Sequence, residues 1–209
     1  MALEKEEPTL PDKWKSVSDP RVALSTPPFM MPPLWAAEVG NRLTKRFPAI
    51  PPSRHPLYLR ALTHPSFAPH VDARDHTMVQ LVPIGTRLLD LVAVLWSTRA
   101  LSGEKLAPGE WSQCVAARTS DEALSVVMVA HLQLADLILT DSLVDALRKH
   151  GKSAASLQKW LQHEGVQRRL SAKITADATR AIVAAWYLDH GLESAAGMVV
   201  REVLPYTFG

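Results

Sequence analysis

This sequence predicts an all-α domain with an extended N-terminal arm, on three observations. Apolar residues recur at three- and four-residue steps across 78–101 and again across 166–203. No segment shows the alternation of a half-buried strand. Prolines crowd the first 34 residues, where no helical period is sustained.

The arm, 1–34, holds Pro8, Pro11, Pro20, Pro27, Pro28, Pro32 and Pro33. Proline fixes φ and removes a backbone donor, so this stretch is expected to run extended. Its apolar end, Phe29-Met30-Met31-Pro32-Pro33-Leu34-Trp35, is expected to dock, either on its own domain or along a neighbouring subunit.

The domain proper is expected over 35–209, beginning with helices at 35–47 and 56–62. A long helix follows at 78–101, with Leu81, Ile84, Leu88, Leu91, Val92 and Leu95 as its expected core face. Pro83 would cost about 3 kcal/mol inside that helix, so the helix should begin late or bend there. One or two helices are expected over 110–130, with Trp111, Val115, Leu124, Val127 and Met128 apolar and a capping signal in Thr119-Ser120-Asp121-Glu122. Short helices are expected over 140–149, stopped near Gly151, and over 156–163. The last two, 166–190 and 192–203, are separated by Gly191, and Ile174, Ala178, Ala181, Ile182, Ala185 and Trp186 form one stripe.

Composition narrows the function classes. With 209 residues, 47% of them hydrophobic, the chain can bury one substantial core and is too apolar to be disordered. A formal charge of +2 is well short of what a protein needs to grip nucleic acid alone by neutralising phosphates. Cys114 is the sole cysteine, which excludes an intrachain disulfide and a cysteine-based zinc site. It reads as a small buried residue in a helix rather than a nucleophile, because no local signature surrounds it. Arg87, Asp90 and Arg99 interrupt the longest apolar run, so no membrane span is expected. Glu4, Glu6 and Glu7 make the N-terminus unlike a transit or secretory peptide, so any organellar targeting would be cryptic, internal or already trimmed. Asp72, Asp75 and His76 could offer metal ligands, but their spacing matches no standard site and a polar connecting loop accounts for them. The glycine-rich and nucleophile-elbow motifs of NTPases, dehydrogenases and hydrolases are absent.

Three blocks carry the chemistry. They are Ala61-Leu62-Thr63-His64-Pro65-Ser66-Phe67, then Leu81-Val82-Pro83-Ile84-Gly85-Thr86-Arg87-Leu88-Leu89, and last Ala176-Asp177-Ala178-Thr179-Arg180-Ala181 running into Ala185-Trp186-Tyr187-Leu188-Asp189. Together, in this order and over roughly residues 42–205, they resemble the ribonuclease III domain family, whose members carry A-L-T-H-x-S, E-R-L-E-F-L-G-D and A-D-x-x-E-A-x-x-G-A-x-Y-L-D. The resemblance implies a helical endonuclease-domain fold and a structural role for His64. Placing Gly85 on the family glycine puts Val79 and Val82 where two glutamates belong and Thr86 where an aspartate belongs. Asp177 keeps the family aspartate, and Arg180 replaces the following glutamate.

Magnesium is a hard cation that needs oxygen ligands, usually carboxylates, and such nucleases use it to activate water and stabilise the leaving oxygen. Valine has no lone pair, a neutral hydroxyl is a weak ligand, and a guanidinium repels the ion. The expectation is therefore no bound metal, no cofactor and no phosphodiesterase activity, with Arg180 pairing the leftover Asp177. The sequence beyond the last family helix is also too short for the double-stranded-RNA-binding domain of many relatives, which takes about 65 residues.

The resemblance further implies that an empty nuclease fold persists for its surfaces. Basic clusters at Arg42, Lys45 and Arg46, at Arg148, Lys149 and Lys152, and at Arg168, Arg169 and Lys173 are the candidate RNA contacts. Catalytically empty domains of this family occur in the large subunit of mitochondrial ribosomes. The leading expectation is thus a mitochondrial structural protein touching ribosomal RNA and neighbouring large-subunit proteins, paired as a heterodimer with another ribonuclease III-like chain. Pro83 in the helix that related nucleases use for their dimer contact argues against the standard homodimer. Two other readings are a non-catalytic dimer partner in an RNA-processing or RNA-editing complex, and an active endoribonuclease whose ligands are rearranged around Asp177 with Asp90, Asp75 or Asp72.

Overall fold

The computed structural model describes residues 32–70, 77–101, 107–143, 145, 159 and 170–207, and all of its extended elements are helical. Among these residues the one strand-like feature is an isolated parallel bridge between Thr63 and Leu139. The arm up to residue 31, the expected short helix at 156–163 apart from Lys159, and half of that at 140–149 lie outside the described residues.

Helix α1, Pro33–Arg46, starts on a proline, whose fixed φ suits the first helical turn. Pro33 and Leu34, which the sequence places in the arm, are thus already helical. Trp35, Val39 and Leu43 sit one turn apart and are buried. Trp35 belongs to this core rather than to a docking arm, and its indole Nε1 donates to the Leu137 carbonyl at 2.7 Å. Trp35→Phe is expected to cost about 1–2 kcal/mol, since it leaves that carbonyl buried without its donor. Urea unfolding checks this, and a midpoint equal to the parent's would remove the bond from the account.

Helix α2, His55–Ala61, follows a short turn at Pro52–Arg54 and buries Leu57, Tyr58, Leu59 and Arg60. A turn at Met78–Gln80 then leads into α3, Val82–Ala100. Pro83 occupies the first turn of α3, where its missing N–H has no intrahelical partner to lose, so the helix begins late and does not kink.

Helix α4, Pro108–Thr119, opens on a proline, and the Glu110 carboxylate accepts from the Ala107 backbone N–H at 2.8 Å. Ser120 caps α5, Asp121–Val126, by accepting from the Ala123 N–H at 3.2 Å. The chain continues as a wide π turn at Val127–Leu132, ended by Gln133 with φ 57°. Cys114 is only half-buried in α4, so the expected buried position is corrected.

Helix α6, Ala172–Met198, is the axis of the domain and packs most extensively on α3 and α5. Its start is set by Ser171, whose extended backbone and side-chain cap to the Ile174 N–H rule out the expected start at 166. Ala176, Ala178, Ala181, Ile182, Val183, Ala184 and Ala185 are all fully buried, so partners pack around most of its circumference. Thr179 reaches across to donate to the Leu124 carbonyl at 3.0 Å. Gly191, at φ 81°, breaks the helix as the sequence indicates, in a backbone region that side chains rarely adopt.

By length and composition residues Met78–Ala100 could cross a membrane, despite Arg87, Asp90 and Arg99. In the fold, Gly85, Leu88, Leu89, Val92, Ala93 and Ser97 face protein, while Leu91, Val94 and Leu95 on the other side are exposed.

Candidate functional site

The three sequence blocks meet in space. Where the turn at Met78–Gln80 enters α3, a cavity of about 180 Å³ opens, lined by His64, Pro65, Met78, Val79, Val82, Pro83 and Asp177. His64 and Pro65 come from the first block, Val82 and Pro83 from the second, and Asp177 from the third. Local chemistry fixes the rim: the Met78 N–H donates to the Thr63 carbonyl at 2.9 Å, and the Thr77 hydroxyl accepts from the Val79 N–H at 3.4 Å. Thr86 does not line the cavity, and its hydroxyl donates back to the Val82 carbonyl at 2.8 Å.

His64 has the structural role the sequence implies. Its Nδ1 accepts from the Ser66 backbone N–H at 3.1 Å, and the His64 backbone N–H donates to the Leu139 carbonyl at 2.9 Å. Burial pushes the imidazole below its ordinary value near 6.5, against the opposing pull of Asp177 and Asp141. The unfolded chain therefore binds this proton at a higher pH than the folded protein does. The stability that follows from a neutral His64 is complete above about pH 6.5 and is lost as pH falls from there toward the folded value. Unfolding midpoints are expected to drop between about pH 7 and pH 5, and His64→Asn, which keeps an acceptor, should flatten that slope. An unchanged profile in His64→Asn would assign the slope to another group.

Among the described residues Asp177 is the one carboxylate lining the cavity, and cations pair with it. Arg180 Nη1 donates to its Oδ1 at 3.0 Å, and Lys173 Nζ lies 3.4 Å from its Oδ2. Arg180 also donates to Asp121 Oδ1 at 2.7 Å and to the Thr119 carbonyl at 3.0 Å. Among the described residues the cavity's lining does not fit a hard divalent ion: valines, prolines, Met78 and His64 stand beside one carboxylate whose two oxygens both have cationic partners. Among the described residues no group of three His, Cys, Asp or Glu side chains is arranged to hold a metal. Asp90 does not line the cavity, and Asp72, Asp75 and His76 lie outside the described residues.

The basic candidates separate. Arg42 is held by Glu38 Oε1 at 2.9 Å, Asp136 Oδ1 at 2.8 Å and the Gln133 carbonyl at 3.1 Å. Arg46 donates to Glu202 Oε2 at 2.5 Å and contacts His131, whose ring stacks on Tyr206. Both arginines thus tie α1 to other parts of this chain. Lys45 is exposed on α1, and the Lys173 side chain is 72% exposed on α6. Arg148, Lys149, Lys152, Arg168 and Arg169 lie outside the described residues.

Two features escaped the sequence reading. Asp189, with a side chain only 5% exposed, pairs with Arg54 at 3.1 Å and accepts from the Tyr58 hydroxyl at 3.4 Å, anchoring α6 to α2. The other is a correction: Leu91 and Leu95, assigned above to the core face, are 49% and 56% exposed. With Pro83, Arg87, Val94 and Thr98 they form one outward face of α3, spaced by three and four residues. Pro83 also lines the cavity, so this face runs into the cavity mouth.

No family model and no curated protein matches the chain. Two solved structures of the nuclease domain of ribonuclease III from Campylobacter jejuni do. One has a TM-score of 0.57 at 21% identity, covering 78% of this chain and 92% of that one. The other, which concerns structural flexibility in a region involved in dimer formation, has a TM-score of 0.52 at 25% identity and covers 72% and 86%. The all-α architecture of this chain is therefore a ribonuclease III nuclease-domain-like fold, with Val79, Val82 and a neutralised Asp177 around its cavity.

Proposed function

We propose that this chain is a non-catalytic structural protein of the mitochondrial large ribosomal subunit, contacting ribosomal RNA and neighbouring ribosomal proteins. The observation that carries the non-catalytic part is the cavity itself, where Val79 and Val82 flank an Asp177 paired to Lys173 and Arg180. A phosphodiesterase of this type needs several carboxylates facing one metal. The ribosomal assignment rests on the likeness in kind to catalytically empty domains of such assemblies, which is an analogy of fold.

A dimer partner is supported by the outward apolar face of α3 at Leu91, Val94 and Leu95. The Campylobacter jejuni domain has a region involved in dimer formation, and this chain pairs through α3 with a second ribonuclease III-like chain. The same face favours one other reading, a non-catalytic dimer partner in an RNA-processing or RNA-editing complex.

Sedimentation of the endogenous protein, captured at low salt with its RNA and proteins identified, tests the proposal. Co-migration with large-subunit ribosomal RNA is the expected result. Migration in a smaller particle beside an intact ribonuclease III chain would sink the ribosomal role and leave the second reading. Divalent-dependent cleavage of duplex RNA by the purified chain, lost in Asp177→Asn, would overturn the non-catalytic reading.

A further inference from the structure

Three oxygens from three segments of chain converge on the Arg180 guanidinium. Asp177 Oδ1, one turn back on α6, accepts from Nη1 at 3.0 Å, and Asp121 Oδ1, the first residue of α5, accepts from the same nitrogen at 2.7 Å. The Thr119 carbonyl, at the last residue of α4, accepts from Nη2 at 3.0 Å. That carbonyl is among the last of its helix, which have no intrahelical partner. Two carboxylates and a backbone carbonyl about one positive charge is a set of hard oxygen donors. Left without a cation the two carboxylates would repel each other across a half-buried joint, where the charges are screened less than in open water. Lys173, on the exposed side, reaches only the other oxygen of Asp177.

The backbone explains why the guanidinium goes there. The Arg180 carbonyl lies directly against Gly85 of α3, so on that side α6 is pressed to α3. The arginine side chain instead spans to the junction between α4 and α5.

We propose that Arg180 is a tethered counter-cation that does structurally what a bound divalent ion would do. It closes the α4–α5 junction onto α6 and makes the stability of the fold independent of metal. This inference concerns stability and stands apart from the assembly role proposed above.

Thermal unfolding of the full chain with EDTA, with millimolar Mn²⁺ and with millimolar methylguanidinium tests it. The parent Tm should be the same in EDTA and Mn²⁺. Arg180→Ala should melt roughly 5–10 °C lower in EDTA and regain a substantial part of the loss with Mn²⁺ or methylguanidinium. Asp177→Asn added to Arg180→Ala should abolish the Mn²⁺ response, a result that general stabilisation by salt would not give. Should Arg180→Ala fail to fold, Arg180→Lys serves instead, with a smaller loss and a smaller Mn²⁺ gain. A parent Tm that rises with Mn²⁺ would overturn the proposal. So would variants that respond to neither cation, or an Arg180→Lys indistinguishable from the parent. Absent rescue, or an Arg180→Lys like the parent, leaves the proposed function untouched, whereas a parent Tm raised by Mn²⁺ would also reopen the non-catalytic reading, which the cleavage assay then decides.

Discussion

Gly85→Ala is expected to destabilise the protein by at least about 3 kcal/mol, a large fraction of the roughly 5–15 kcal/mol that holds a domain folded. A Cβ at this position would lie 1.8 Å from the Arg180 carbonyl oxygen and 2.6 Å from its carbon. These are backbone atoms of a buried helix, so no rotamer change relieves the clash. Either α3 moves off α6, opening the most extensive contact in the domain, or α6 bends. Gly109→Ala is the control: it meets nothing within 4 Å in the first turn of α4 and should be neutral or slightly stabilising. Urea unfolding of the two variants beside the parent decides the matter. A Gly85→Ala midpoint close to the parent's would mean that the α3–α6 crossing is looser than the geometry described above.

Leu91→Asp combined with Leu95→Asp should abolish association with the proposed partner while leaving the isolated fold intact. Both side chains are about half exposed in the free chain, so the substitutions remove little buried area and should change stability by less than about 1 kcal/mol. In a complex that covers α3, each would bury a carboxylate with no cation to meet it. At about 2 kcal/mol or more for each, the pair corresponds to roughly a thousandfold weaker binding. Capture of partner chains by wild-type and doubly substituted protein, with circular dichroism to verify folding, reads both effects. Retained capture would move the interface to another face, and loss of helical signal would show that Leu91 and Leu95 support the core after all.

Much of the architecture can be read along the chain because its causes are local. Ser120 caps α5, Gly191 breaks α6, and Pro83 sits where a helix starts, each through chemistry within a few residues of its own position. The positions that the resemblance sets against family carboxylates, Val79, Val82, Thr86 and Arg180, are likewise read from register against a motif. The starts at Pro33 and Ala172 differ from the expected ones by a few residues, where a proline or a serine cap outweighs the periodic pattern.

The amino-acid sequence by itself determined most of the helices and their punctuation, and it set Val79, Val82, Thr86 and Arg180 at the positions that the resemblance pairs with acidic ligands. Only the tertiary structure decided which side of α3 is core, because Leu88, Leu91, Val92 and Leu95 supply apolar residues to two faces and periodicity does not choose between them. It also decided the fate of the charges. Arg42 and Arg46 stand in sequence as candidate RNA contacts and Asp189 as the end of a motif, yet their partners Asp136, Glu202 and Arg54 lie far along the chain, and Arg180 finds Asp121 59 residues away. An ion pair depends on distance in space, which falls off over a few ångströms and which helix packing alone sets.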